Sequence, residues 1–107
     1  MTNRQFELIF EDAVERERAT LCQKANEYAR GDRLSNFKLA GARQECTPER
    51  ALEGMMEKHS TSIHDCIADI ERGQVAPLKV WREKIGDARN YLLLLEALVA
   101  ERLGEVP

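Results

Sequence analysis

Four carboxylates, a lysine, a serine and an asparagine stand at helical spacings in the second half of the chain. Lys58, Ser62, Asp65 and Asp69 follow one another at intervals of four, three and four, and Glu83, Asp87 and Asn90 at four and three. Each set therefore shares one stripe of a helix. If the two helices pack antiparallel, Asp65 and Asp69 near the end of one meet Glu83 and Asp87 near the start of the other. Such a cluster repels itself unless a cation neutralises it, and hard oxygen ligands with open positions suit magnesium carrying a phosphate substrate. That arrangement is a magnesium and nucleotide site, with Lys58, Ser62, Asp65, Glu83, Asp87 and Asn90 lining the pocket. Asp87 is the strongest member. It lies on the same stripe as Tyr91, Leu94 and Leu98, and burying a charge is costly unless it is paired or meets a ligand.

Ordinary roles compete with these. Acids flanking bundle helices form solvated contacts worth under about 1 kcal/mol, such as Asp65 with Lys58 or Arg72 and Glu83 with Arg82. His59 lies on an apolar stripe, where a neutral imidazole at the core edge is the common case; His64 reads as a surface residue. Trp81, Tyr28 and Phe37 suit core anchors better than base-stacking platforms, although Tyr28 and Phe37 lie near loops. Lys24 and Lys38 can meet phosphates, but lone lysines there are usually solvated.

The elements that must position these side chains are helices. Thr2 with Gln5 forms a capping box ahead of Phe6, Phe10, Val14, Leu21, Ala25 and Tyr28, and Gly31 supplies a left-handed stop. Asp32 or Ser35 can cap a short helix closed by Gly41. Thr47-Pro48 starts a third, with Leu52, Met56, His59, Ile63, Cys66 and Ile70 on one stripe and Gly73 at its end. After Pro77 a last helix carries the seam Trp81, Ile85, Ala88, Leu92, Leu95 and Val99, flanked by Tyr91, Leu94 and Leu98, and stops at Gly104. The expected fold is all-α, an elongated antiparallel bundle of three long helices plus one short one, in a single domain over 1–107. The apolar face of the last helix is broader than one partner helix requires, which points to a homo-oligomer.

Composition narrows the functions. The chain has 107 residues, 43% apolar and 33% charged, and a formal charge of −3 from 16 basic and 19 acidic residues. Disorder does not fit that balance, and the mixed charge offers no extended basic face for duplex nucleic acid. Cys22, Cys46 and Cys66 are widely spaced and lack a paired motif, as reduced structural thiols do. Met1-Thr2-Asn3-Arg4 leads directly into a charged helical pattern without a secretory apolar core. The longest apolar run, Tyr91 to Leu95, falls far short of the roughly 20 residues a membrane span needs. A cytoplasmic protein without a membrane partner is expected.

The order Lys24, Tyr28-Ala29, Asp32, Ser35-Asn36-Phe37, Ala40, then Lys58-His59, Ser62-Ile63, Asp65, then Glu83-Lys84-Ile85-Gly86-Asp87-Ala88, Asn90-Tyr91-Leu92-Leu93-Leu94-Leu95 resembles the phage and prophage proteins of the nucleotide modification associated domain type 1 group, from about Leu21 to Leu98. The last segment is also similar to the second metal motif of the all-α, MazG-like nucleoside triphosphate pyrophosphatases. There, helical carboxylates hold magnesium while water attacks a nucleotide phosphate. That resemblance implies Asp87 as the aspartate ligand and Glu83 as the first glutamate. Lys84 stands where the second glutamate belongs. The other paired-glutamate motif has no counterpart at its spacing; only Glu53 with Glu57, or Asp65 with Asp69, can substitute. A cation in place of an anionic ligand weakens magnesium binding, and such a lysine can instead pair directly with phosphate. The resemblances imply a nucleotide-directed protein, either a binder or a degenerate magnesium-dependent pyrophosphohydrolase. The alternative is a non-catalytic helical module for oligomerisation or protein interaction.

Overall fold

The structure is a computed structural model that describes residues 1–23 and 31–107, and among these there are helices, turns and loops but no strand. The protein is all-α. The described chain divides into two compact units, Met1–Arg33 and Leu34–Pro107.

In the first unit α1 spans Asn3–Arg18. Its start is the expected capping box: Thr2 Oγ1 accepts from the Gln5 amide at 3.1 Å, and the Thr2 amide donates to Gln5 Oε1 at 2.8 Å. The helix does not continue regularly as the apolar spacing suggests. It widens at Ala19–Gln23 into a π-helical turn, a geometry in which hydrogen bonds skip one residue further and the apolar stripe loses its phase. The expected positions Lys24, Ala25 and Tyr28 lie outside the described residues. Gly31 has the left-handed φ of +86° expected of a stop.

The second unit holds α2 (Ser35–Gln44), α3 (Pro48–Glu71) and α4 (Leu78–Leu103). Thr47 caps α3 as expected, accepting from the Arg50 amide at 3.1 Å, with Pro48 in the first turn, where its missing donor costs nothing. Gly73 and Gly104 take the left-handed φ values +81° and +71° beyond α3 and α4.

Two expectations for α2 need correction. Leu34, not Asp32 or Ser35, stands at its N-cap, without a side-chain cap bond; burying an apolar anchor there outweighs a polar cap. Gly41 does not close the helix, which runs on to Gln44 with Glu45 left-handed at φ 57°. Instead Gly41 is buried, and a Cβ on it would stand 2.8 Å from the Cys46 carbonyl oxygen and 3.0 Å from the Pro48 nitrogen. The corner into α3 folds back over α2 only because nothing projects from position 41.

The core of this unit is small. Leu34, Phe37, Leu52 and Leu98 are buried, with Met55, Tyr91, Leu94 and Leu95 packed against them. Phe37 is thus a core anchor. On α4 the inward line is Tyr91, Leu94, Leu95 and Leu98, whereas Ile85, Leu92 and Val99 of the expected seam are exposed. The seam is rotated because α2 delivers Leu34 and Phe37 to the Leu98 side, so α4 turns its flank, not its centre, inward.

Two ion pairs fasten α4 in the second unit: Lys38 to Glu101 at 2.5 Å, and Arg102 to both Glu49 oxygens at 2.8 and 2.9 Å. The two Arg102 hydrogen bonds, then the bond from its own backbone amide, hold the Glu49 carboxyl below its ordinary pKa against opposing desolvation. A carboxyl depressed in the fold stabilises it above the unfolded value of about 4.3 and loses that contribution as pH falls through the folded value. Glu49→Gln is therefore expected to lower the urea midpoint at pH 7 and to flatten its decline below about pH 5. An acid limb unchanged from wild type would remove Glu49 from the account.

Candidate functional site

The facing sides of α3 and α4 form a cleft of about 350 Å³ lined by Lys58, His59, Ser62, Val80, Glu83, Lys84 and Asp87. Helical period explains the lining. Lys58 and Ser62 lie one turn apart on α3, and Val80, Lys84 and Asp87 lie at intervals of four and three on α4, so each group presents a single edge to the other. The antiparallel hairpin through Gly73 sets those edges opposite one another.

Lys84 spans the cleft and donates its ammonium to Ser62 Oγ. Lys58 is exposed at the rim and has no hydrogen-bond or ion-pair partner among the described residues. Asp87 Oδ2 lies 3.7 Å from His59 Nδ1, with the histidine side chain 19% exposed and the aspartate 47%. The imidazole is also held from behind, its ring centroid 5.3 Å from that of Tyr91 at a tilt of 34°. The 3.7 Å separation is longer than a hydrogen bond, so the half-exposed carboxylate stands near the largely covered imidazole with its oxygens open to the cleft.

The structure brings together Lys58, Ser62, Glu83 and Asp87 of the expected site. It does not bring the other three to the lining. Asp65 is exposed on α3, and Asp69 is engaged along its own helix by Arg72 at 2.5 Å, so the expected four-acid cluster does not assemble. Asn90 is not in the lining either; its side-chain oxygen is buried without a hydrogen-bond partner, which costs on the order of 1–3 kcal/mol. Lys38, weighed as a phosphate contact, pairs with Glu101 instead. The missed participant is His59. Its signal was present: two polar residues, His59 and Asp87, each on an apolar stripe, are a pair waiting for the packing register that joins them.

A resident magnesium ion fits these residues poorly. Among the described residues no three His, Cys, Asp or Glu side chains converge as metal donors, and the two carboxylates in the lining, Glu83 and Asp87, share it with two ammonium groups. Ammonium groups lining the same cleft compete with a metal for those oxygens. What the cleft can do is hold an anion on the Lys58–Ser62–Lys84 side and accept hydrogen bonds on the Asp87 side. No helix among the described residues is long and apolar enough to cross a membrane. Compared with known proteins, the chain matches no family model, no curated protein and no solved structure.

Proposed function

We propose that this cleft binds a mononucleotide without a resident metal. The observation that carries the reading is the Lys84 ammonium resting on Ser62 in a cleft that also holds the unpaired Lys58. An ammonium pair and a hydroxyl on facing helices are a phosphate-binding set, since charge-assisted hydrogen bonds to phosphate are the strong ones. The cleft volume of about 350 Å³ lies at the small end of ligand pockets, which run from roughly 300 to 1,000 Å³. Asp87 and Glu83 repel phosphate, so the anion sits on the lysine side, and the Asp87 carboxylate accepts from a sugar hydroxyl or a base N–H. This agrees with the nucleotide-directed role that the resemblance to the phage and prophage group implies. We further propose a homo-oligomer, which the exposed apolar row Leu78, Ile85, Leu92 and Val99 on α4 supports.

The test is a thermal-shift series with nucleosides, nucleoside mono- and triphosphates and inorganic phosphate, each with and without magnesium. Nucleotides at about a hundred times Kd should stabilise the fold by about 2.7 kcal/mol, nucleosides by much less, and magnesium should not be needed. A shift that requires magnesium would make the site a metal site, and no shift with any nucleotide would overturn the assignment.

A further inference from the structure

The cleft between α3 and α4 is built as two rungs of opposite chemistry. In the first, Lys84 of α4 donates to Ser62 of α3; in the second, Asp87 Oδ2 stands 3.7 Å from Nδ1 of His59. From one rung to the next the chain moves three residues, backward on α3 and forward on α4, so the rungs follow one another in register across the antiparallel pair. A donor rung thus adjoins an acceptor rung, with about 5–6 Å between Cβ atoms on each helix. Among the described residues the Asp87 carboxylate accepts no hydrogen bond. The lining holds one aliphatic side chain, Val80, and no Phe, Tyr or Trp, so a base finds no large ring to stack on.

We infer that Asp87 reads the vicinal hydroxyls of the sugar, which makes the ligand a ribonucleotide rather than a deoxyribonucleotide; this rests on the mononucleotide reading above. Reach selects the sugar over the base. In a nucleoside 5′-phosphate the 2′ and 3′ hydroxyls project from the ring that carries the phosphate, whereas the base N–H groups lie beyond it, across the glycosidic bond. With the phosphate on the Lys84–Ser62 rung, a carboxylate one helical turn further along meets the sugar first. Donor and acceptor numbers agree with this. An ionised carboxylate only accepts, through two oxygens, and the two hydroxyls are donors on adjacent carbons. Removing the 2′ hydroxyl leaves one of those oxygens without its donor. Glu83 directly precedes Lys84 and is exposed, so the half-exposed Asp87 is the acceptor that stands on the second rung.

Calorimetric titration of the full-length chain with adenosine 5′-monophosphate, its 2′-deoxy counterpart and inorganic phosphate tests this. Wild type should bind the ribonucleotide about 10-fold or more tighter than the deoxyribonucleotide, the yield of one hydrogen bond to a charged group. Asp87→Ala should bring that ratio below about threefold. Both nucleotides carry the same charge, so the repulsion that the variant removes cancels from the ratio. The variant should also bind inorganic phosphate more tightly than wild type, which a collapsed cleft would not do. Loss of phosphate binding in Asp87→Ala would make Asp87 a structural residue and overturn the inference. Equal affinities of wild type for the two nucleotides, or a ratio untouched by Asp87→Ala, would overturn it while leaving the Lys84–Ser62 phosphate site standing. No binding of any of the three ligands would remove that phosphate site, and the sugar assignment with it.

Discussion

Replacing Lys58 and Lys84 together by alanine is expected to lower nucleotide affinity about 100-fold or more and to erase the ligand-induced thermal shift, while leaving the unliganded melting temperature within a few degrees of wild type. Each charge-assisted hydrogen bond to phosphate contributes about 1.5–3 kcal/mol, and two lost ammonium groups leave Ser62 as the only donor of the set in the lining. The fold should tolerate the change. Lys58 is exposed, and Lys84 contacts a serine rather than a buried acid. Lys84→Arg should retain part of the affinity, because charge is kept and only the reach of the side chain changes. Calorimetric titration with a nucleoside monophosphate reads the effect directly; an unchanged Kd in the double variant would leave the cleft without its binding groups.

The second large effect is on stability. Leu52→Ala should cost about 3 kcal/mol, within the roughly 2–5 kcal/mol range for truncating a buried leucine. Leu52 is wholly inaccessible and belongs to the cluster that joins Leu34 and Phe37 to Leu98. Few other large side chains can relax into the void, because the buried cluster around Leu52 is only Leu34, Phe37 and Leu98 among the described residues. Leu39→Ala provides the contrast: Leu39 is exposed on α2, and its truncation should stay within about 0.5 kcal/mol. Urea titrations at one fixed protein concentration separate the two, since a chain that associates gains apparent stability with concentration. Equal losses at Leu52 and Leu39 would contradict the packing described.

Local rules carried much of the fold. Thr2 with Gln5, Thr47 with Pro48, Gly73 and Gly104 each act over one helical turn, and each does what its neighbours dictate. The orientation of α4 was not legible in the same way. Apolar residues cover more than half its circumference, so period alone cannot decide between the Ile85–Leu92–Val99 stripe and the Tyr91–Leu94–Leu98 flank; α2 decides, through contacts distant in sequence. The site divides along the same line. Lys58 with Ser62 and Glu83 with Asp87 could be grouped from spacing on a single helix. Lys84 on Ser62, and Asp87 near His59 instead of Asp65, depend on how far one helix slides past another, which no local pattern encodes. The interruption at Ala19–Gln23 likewise has no glycine or proline to announce it.

Gly41 and Phe37 are one helical turn apart on α2, and both are buried. With the carbonyl of Cys46 filling the place of a side chain at 41, α2 can seat against the start of α3 in one rotational setting only, like a key cut for a single lock. That setting carries Phe37 toward Leu52, so the aromatic member of the buried cluster reaches its place by geometry already imposed at the corner.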